Sequence, residues 1–434
     1  MGHGIARKRK YDMNDDPDHS GGQQAGRDHA KSAHAGHSHA PACFGQLPRI
    51  PRTVWALGFV SMFMDISSEI IHALLPLFLT ATLGVSVAMV GLIDGIAEAT
   101  ASITKVFSGY ISDRIGKRKP LILIGYGLGA LSKPLFALAG TAPVVLSARF
   151  ADRIGKGLRG APRDALVADV TPIEIRGRAF GLRQSLDTVG AFAGPLIAVG
   201  LMVLFAGNMR SVFWVALIPA LIAVALVVVG VEDATNAKGA SEARPPISIA
   251  DIKRFPRAFW ILVVIGAVFS LARFSEAFLI LKANAEGLPL ALAPLVLVAM
   301  NVIYAAGAYP LGILSDRVSS RTLLGSGLFC LICADVALAM LTGVAGTFLG
   351  IALWGLHMAL TQGLFAKLVA DRAPVELRGS AYGVFNLASG IALLAASVIA
   401  GVLWDAIGPS GTFFAGAAFS ALALFGILAV GHRT

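Results

Sequence analysis

Residues 109–119 read GYISDRIGKRK, and residues 312–321 read GILSDRVSSR. A second pair of segments repeats over nearly the same distance, with DVTPIEIRG at residues 169–177 and DRAPVELRG at residues 371–379. Each of these segments is a polar break between apolar runs. Two independent motifs that recur at one spacing indicate a duplicated membrane domain whose two copies have the same orientation.

The apolar runs between these breaks predict helices that cross a membrane. Hydrophobic residues make up 56% of the 434 residues and charged residues only 14%, which is too apolar for a soluble protein of ordinary composition. A spanning helix needs roughly 20 apolar residues. We therefore predict an all-α membrane protein with twelve transmembrane helices, six in each copy. The predicted helices, numbered 1 to 12, cover approximately residues 54–82, 88–108, 120–139, 143–166, 179–204, 211–230, 258–281, 289–311, 322–342, 346–370, 381–405 and 411–431.

Basic residues predict how these helices are oriented. The formal net charge is +10, and many of the Lys and Arg residues fall in alternate short loops. The loops near residues 83–87, 140–142 and 343–346 carry neither. Because short basic loops stay on the cytoplasmic side, we expect both termini inside the cell and no nucleic-acid partner. The basic loop residues are Arg114, Lys117, Arg118, Lys119, Arg176, Arg178, Arg317, Arg321, Arg372 and Arg378.

Two polar segments divide the chain. Residues 1–50 are rich in Gly, Ala and Ser and hold six of the nine histidines, so we expect a disordered cytoplasmic tail. No apolar run precedes Val54, and we therefore expect no cleavable signal peptide. Residues 231–256 are predicted to link a six-helix half at residues 51–230 to a second half at residues 257–434.

The repeated loop motif predicts a gate. Gly109 lets a neighbouring helix approach closely, and Asp113 places a carboxylate where it can meet the positive N-terminal end of another helix. The alternative is that Asp113 and Arg114 only keep a short loop polar. The motif resembles the signature of the major facilitator superfamily, Gly-x-x-x-Asp-Arg-x-Gly-Arg-Lys, which implies that Asp113 stabilises an outward-facing state. The gating residues implied by the resemblance are Gly109, Asp113 and Arg114 in the first copy and Gly312, Asp316 and Arg317 in the second.

Two further motifs resemble those of the same superfamily. Arg153-Ile-Gly-Lys-Gly in helix 4 resembles its Arg-x-x-Gln-Gly pattern, whose buried Arg is associated with proton transfer. Gly190 and Gly194-Pro195 in helix 5 resemble the signature of its antiporters, without the final glycine pair. Judged from the residues alone, Gly190 and Gly194 form a small face and Pro195 bends the helix, giving a close-packed pivot. Structural packing without a gating role is the alternative.

Ionisable residues inside the predicted helices indicate a path for a solute or an ion. Asp65, Glu69 and His72 lie on one face of helix 1. Carboxylates and imidazole bind divalent transition metals, and carboxylates also exchange protons. The competing interpretation is a plain salt bridge to Arg273 of helix 7 or Lys105 of helix 2.

A second set of charges is predicted to complete the same cavity. Asp94 and Glu98 form a stripe on helix 2, and Arg273 with Glu276 in helix 7 lie near the positions that the repeat relates to the carboxylates of helix 1. We expect these two to form the second side of the cavity. For His357 in helix 10, we favour a hydrogen-bonded core residue over a ligand.

Several strings are similar to one bacterial branch of the superfamily that includes the nickel-resistance permeases. They are FMDISSEIIH at residues 63–72, GAPRDALVAD at residues 160–169 and RQSLDTVG at residues 183–190. Those permeases export Ni²⁺ and carry a His-rich tail, which in this chain precedes the helices instead of following them. The tail histidines His29, His34, His37 and His39 lie close enough to converge on one metal ion, with His72 as a further metal candidate. A solvated tail without a role is the alternative.

These patterns together predict a monomeric, proton-coupled exporter of the bacterial inner membrane that works by alternating access. No P-loop is present, so an ion gradient is the expected energy source. The expected partners are the lipid bilayer, protons and a solute, with a transition-metal cation such as Ni²⁺ as the leading candidate. The alternatives are efflux of a small organic compound, such as a drug or metallophore, and a non-transporting metal sensor. No nucleophile and base stand together, so we expect neither an enzyme nor a cofactor.

Overall fold

The computed structural model describes residues 49–115, 117–233, 253–315, 318–361, 364–374 and 377–430. Within these ranges the chain is nearly all helical and contains no strand. Each of the twelve predicted spans corresponds to a long helical segment, which confirms the predicted fold class. The segments are α1 (Arg52–Thr82), α2 (Val87–Ile115), α3 (Lys119–Leu138), α4 (Ala142–Val170), α5 (Arg176–Leu204), α6 (Met209–Gly230), α7 (Arg257–Ala285), α8 (Leu295–Ser315), α9 (Ser320–Met340), α10 (Gly343–Thr361, then Leu364–Arg372), α11 (Arg378–Ile407) and α12 (Pro409–Val430).

Three segments differ from the predicted helices. In α1, a turn at residues 73–74 separates the helix Arg52–His72 from the helical turns of residues 75–82. The first part of α7 ends at Ala272 and the second begins at Ala277, so placing Arg273 and Glu276 within a helix was wrong. The Ser275 hydroxyl accepts the Ala277 backbone N–H at 3.2 Å, a local bond that competes with the helical pattern. In α2 the helix runs on to Ile115, so the first part of the repeated motif is helical instead of a loop.

The fourth segment, α4, is stabilised by packing against other helices and not by contact with lipid. Eleven described helices are long and apolar enough to cross a membrane, and α4, although 29 residues long, is not among them. It packs against α2 and α3, and Arg149, Asp152, Arg153 and Arg159 are all buried. Charges that lipid would not accept are therefore sheltered inside the bundle.

The predicted small face of α5 packs against α1. A Cβ added to Gly190 would lie 2.6 Å from the Met62 backbone oxygen, and one added to Gly194 would lie 2.6 Å from the Glu69 Cβ. These glycines let two backbones approach closely. Pro195 follows within the same helix. The contact fixes the face of α1 that carries the acidic residues, whereas a gating role for the three α5 residues stays a prediction.

The bundle has two different ends. The basic end carries the loops after α2, α4 and α10, and the opposite end carries the loops after α1, α3 and α9. At the opposite end, apolar residues from both halves form one buried cluster, which includes Phe78, Phe213, Phe278 and Phe413. There Asp405 of α11 accepts the backbone N–H groups of Val87 at 3.1 Å and Ala88 at 2.9 Å, at the start of α2. The opposite end is therefore closed.

Candidate functional site

A polar cavity of about 310 Å³ lies between the two halves. A larger volume of about 780 Å³ shares Glu69 and Lys156 with it and extends toward the basic end, past Lys105, Asp164 and Gln184. The charged or titratable residues that line the smaller cavity are Glu69, His72, Glu98, Arg153, Lys156, Arg273 and Glu276. The structure thus brings together most of the residues that the sequence predicted for transport, whereas Asp65 lines the larger volume.

The break in α7 places the C-terminal half's charges at this cavity. Arg273, Phe274, Ser275 and Glu276 all line it and all lie between the two helical pieces. The ends of helices leave backbone groups without helical partners. Discontinuous helices at a central site are a common source of ligand contacts in transporters. The α7 break therefore supplies both side chains and backbone groups to the cavity.

Two acidic residues, the predicted Glu98 and a further residue, Asp152, form ion pairs within the N-terminal half. Glu98 lies 3.2 Å from Arg153, and the Arg153 side chain is 5% exposed. Asp152 of the same helix lies 2.9 Å from Lys133 Nζ on α3, and both side chains are nearly inaccessible. In each pair the two side chains compensate each other's charge, which restrains them from exchanging protons or solute.

Asp94 connects the two halves of the molecule. Its Oδ1 accepts a hydrogen bond from Arg149 at 3.3 Å, and its Oδ2 accepts one from the Ser275 hydroxyl at 2.7 Å. The Arg149 guanidinium also lies 2.7 Å from His72 Nδ1. Because Arg has no acceptor, His72 Nδ1 accepts this bond and cannot ligate a metal in this arrangement. The chain of contacts runs from α1 through α4 and α2 to the α7 break.

Three other acidic residues have no such partner. Asp65, Glu69 and Glu276 form no ion pair or hydrogen bond with a described residue, and the competing prediction of a salt bridge from α1 to Arg273 or Lys105 is not realised in this conformation. Glu69 and Glu276 line the cavity together with two cations, Lys156 and Arg273, that also form no ion pair among the described residues. The cavity therefore presents uncompensated charges of both signs.

The predicted gate residues are described only in part. A Cβ added to Gly109 would lie 3.4 Å from the Ala161 Cβ of α4, an ordinary contact distance, so a small side chain would fit there. The Arg114 guanidinium lies 3.4 Å from the Tyr110 hydroxyl. The side chains of Asp113, Asp316 and Arg317 and the surroundings of Gly312 lie outside the described residues, as do the tail histidines His29, His34, His37 and His39. Their predicted roles stay predictions.

Sequence reasoning missed two buried charges. Lys133 is the single cation inside the predicted apolar span of residues 120–139, a signal that could have been used. Asp335 of α9 is fully buried, and it too stands alone in an apolar run. His357 is a hydrogen-bonded core residue, as expected, because its Nδ1–H donates to the Gly327 backbone oxygen at 2.8 Å. Among the described residues, no group of three or more His, Cys, Asp or Glu is arranged to hold a metal ion.

A duplicated helical bundle around a charged central cavity defines a membrane transporter. The family profile of the Major Facilitator Superfamily matches residues 57–397, and the chain belongs to that family. It is a transporter and not an enzyme.

Curated relatives agree with this family. An uncharacterized MFS-type transporter of Methanocaldococcus jannaschii is 29% identical over 375 residues, which cover 85% of this chain and 92% of the relative. The inner membrane transport protein YajR of Escherichia coli is 24% identical, over 86% of this chain and 81% of its own length. The multidrug resistance protein MdtH of Photorhabdus laumondii is 31% identical, but only over 34% of this chain and 36% of its own.

Solved structures share the fold at low identity. A point mutant of the nucleoside transporter NupG superimposes with a TM-score of 0.74 at 13% identity, covering 87% of this chain and 99% of that one. A POT family transporter in complex with a thioalcohol-conjugated peptide gives a TM-score of 0.73 at 14% identity, over 88% of this chain and 95% of its own.

Proposed function

We propose that this protein is a proton-coupled secondary transporter that exports a small charged solute across a bacterial inner membrane. The observation that carries the proposal is the set of uncompensated charges of both signs in the cavity between the halves. Glu69 and Lys156 come from the N-terminal half, and Arg273 and Glu276 from the break in α7. A solute that pairs with these groups contacts both halves at once and is released when they separate.

Proton coupling is assigned to Glu69, with Asp65 as its neighbour one turn away. Isolated carboxylates are costly within a membrane, so they take up a proton or pair with a cation. Glu98, Asp94 and Asp152 already have a cationic partner. Glu69 has none and lines both the cavity and the larger volume toward the basic end. It is thus free to exchange a proton for the charge of a solute.

The cavity favours a small organic solute that carries both charges. Its volume of about 310 Å³ is at the lower end of typical ligand pockets. Phe274 and Trp354 add aromatic faces to the charged lining. Partial similarity to MdtH, which is named a multidrug resistance protein, supports efflux of an organic compound.

Export of a transition-metal cation such as Ni²⁺ is the second candidate. Three carboxylates and His72 line the same cavity, and such oxygen and nitrogen donors suit these metals. Against it, His72 Nδ1 accepts from Arg149. A bare cation would therefore need a rearrangement of this network before it could gather enough ligands.

The basic loops support the proposed direction of transport. If the basic end is cytoplasmic, as the positive-inside rule implies, the cavity of this conformation is loaded from the cytoplasm while the opposite end is closed. Both termini would then be cytoplasmic. We propose that one chain performs this cycle as a monomer, since both sides of the cavity come from the same chain.

Transport in everted membrane vesicles tests this function. An imposed pH gradient should drive uptake of a zwitterionic amine or a cationic dye in preference to Ni²⁺, and Glu69→Gln should abolish the dependence on the gradient. Asp371→Asn is the matched control, because Asp371 is exposed on α10 near the basic end. Selective uptake of Ni²⁺ would favour the second candidate. Gradient-driven transport that survives in the Glu69 variant would contradict the coupling assignment.

A further inference from the structure

A lone carboxylate is buried in the C-terminal half, apart from the charges of the cavity. Asp335 lies on α9 and its exposed fraction is 0%. Neither of its carboxylate oxygens has a hydrogen-bond partner in the structure. An ionised carboxylate without a partner is strongly disfavoured in such surroundings, so Asp335 carries a proton in this conformation.

The neighbours of Asp335 offer no charge to replace that proton. The α12 helix, which packs against α9, contains no ionisable residue. On α10, the other helix packed against α9, His357 binds the Gly327 oxygen through Nδ1. Cys333 is the nearest thiol along α9, and the charged residues of the α7 break, Arg273 and Glu276, form no ion pair with Asp335.

One layer of aromatic side chains separates Asp335 from the cavity. A Cβ added to Gly416 of α12 would lie 2.7 Å from Asp335 Oδ2 and 2.8 Å from the Phe274 ring, so the carboxylate and the ring meet at this glycine. Phe274 and Trp354 line the cavity on their other side, and their ring centroids are 5.4 Å apart. Asp335 is therefore one side chain away from the cavity.

Phe274, which forms part of this aromatic layer, lies in a segment without regular secondary structure. Phe274 belongs to the break in α7, between the helical pieces that end at Ala272 and begin at Ala277. Residues at the ends of helical elements are the positions that absorb backbone changes when a hinge moves. A shift of the break would carry Phe274 away from Gly416 and admit water to Asp335.

We propose that Asp335 is a second proton-binding site of this transporter, which the Phe274 layer closes in the conformation that is open toward the basic end. The proton binds a carboxylate oxygen of Asp335 and leaves to water in the cavity once the α7 break has moved. The proposal rests on the proposed function only in so far as protons drive transport. It adds a site in the C-terminal half to the carboxylates of α1.

Infrared spectroscopy of the purified full-length protein in lipid nanodiscs tests this site without any solute, so its result is independent of the substrate assignment. We expect a carbonyl band from a protonated carboxyl group in apolar surroundings, which Asp335→Asn removes and Asp371→Asn retains. The band should shift in D₂O and disappear reversibly in alkaline buffer. Phe274→Ala should accelerate the D₂O shift by roughly tenfold or more, because removal of a buried ring opens the layer.

Three results would overturn the proposal. They are a spectrum that Asp335→Asn leaves unchanged, a band that neither exchanges nor titrates, and an exchange rate that Phe274→Ala does not alter. If the Asp335 variant does not fold, the comparison of the unaltered protein with Phe274→Ala decides, because a purely structural acid would remain protonated and unexchanged in both.

Discussion

The ionisable side chains inside the bundle differ in whether a neighbouring charge of opposite sign compensates them. Lys133 and Asp152 form a pair whose side chains are only 1% and 4% exposed, and Lys133 also donates to the Ser68 hydroxyl at 3.1 Å. Glu69 and Asp335 have no such partner. A paired charge holds the bundle together, whereas an unpaired one is available to bind a proton or a solute.

Breaking the Lys133 and Asp152 pair is expected to destabilise the protein strongly. Asp152→Asn alone should cost about 3–5 kcal/mol, because it leaves the buried Lys133 without an anion. Lys133→Met should cost somewhat less, because Asp152 keeps Arg153 at 3.9 Å. The double variant Lys133→Met with Asp152→Leu should recover most of that loss. Thermal unfolding in detergent measures the effect.

The matched control is the half-exposed pair of Arg118 and Asp169 at the basic end. There Asp169→Asn should cost no more than about 1 kcal/mol. Equal losses for the two pairs would show that burial does not govern their contribution, and a double variant as unstable as the singles would contradict the pairing argument.

Among the helices, close packing of α5 on α1 sets the position of the acidic face. Gly194→Ala would bring a Cβ to 2.6 Å from the Glu69 Cβ. We expect a loss of about 1–3 kcal/mol in stability, the usual cost of overpacking, together with a marked loss of transport because Glu69 is displaced.

Gly200 on the same helix provides the control, since a Cβ there would meet no atom within 4 Å. Gly200→Ala should leave both melting temperature and transport nearly unchanged, or raise stability slightly through helix propensity. Similar behaviour of the two alanine variants would refute the packing argument.

The closed end of the bundle depends on a helix cap that crosses between the halves. Because Asp405 accepts the first two N–H groups of α2, Asp405→Ala should weaken the closed opposite end by about 1 kcal/mol, with Asp405→Asn intermediate because Asn also caps helices. Spin labels on the exposed residues Thr82 and Ile407, in a background without native cysteines, should then show longer distances. Unchanged distances in the Ala variant would mean that the cap does not stabilise this conformation.

Features of the fold and site that depend on residues close together in the sequence could be predicted, whereas contacts between distant segments could not. The alternation of apolar runs and polar breaks predicted all twelve helices, although α4 is not apolar enough to cross a membrane by itself. The face of Asp65, Glu69 and His72 followed from helical periodicity. The α7 break was missed because its four residues, 273–276, are too short a polar interruption to divide the predicted span of residues 258–281. The pairing of Arg149 with Asp94, and the isolation of Asp335, arise between helices that are distant in sequence.

At the scale of the whole molecule, the two halves meet in contacts that must change if the opposite end opens. On α2 and α11 the backbones approach so closely that a Cβ on Gly401 would lie 2.7 Å from the Ala88 Cα. The apolar cluster around Phe78 and Phe278 also joins both halves. Since packed interfaces switch between discrete arrangements, opening requires the halves to separate here as bodies.

A reversible cross-link tests this rocking motion. Cysteines in place of Ala88 and Gly401, in a chain whose native cysteines are replaced by serine, lie within reach of a disulfide. Oxidation should reduce transport to background, because the opposite end can no longer open. Reduction should restore transport to the level of the single variant Gly401→Cys, whose added Cβ is itself overpacked against Ala88. The control pair replaces Ala56 and Gly230, which belong to α1 and α6 of the same half and whose Cβ positions lie 3.0 Å apart. Oxidation of that pair should leave transport intact. Transport that continues with the Ala88 and Gly401 pair fully oxidised would rule out separation of the halves at this end, whereas equal inhibition by both pairs would place the essential motion inside the N-terminal half.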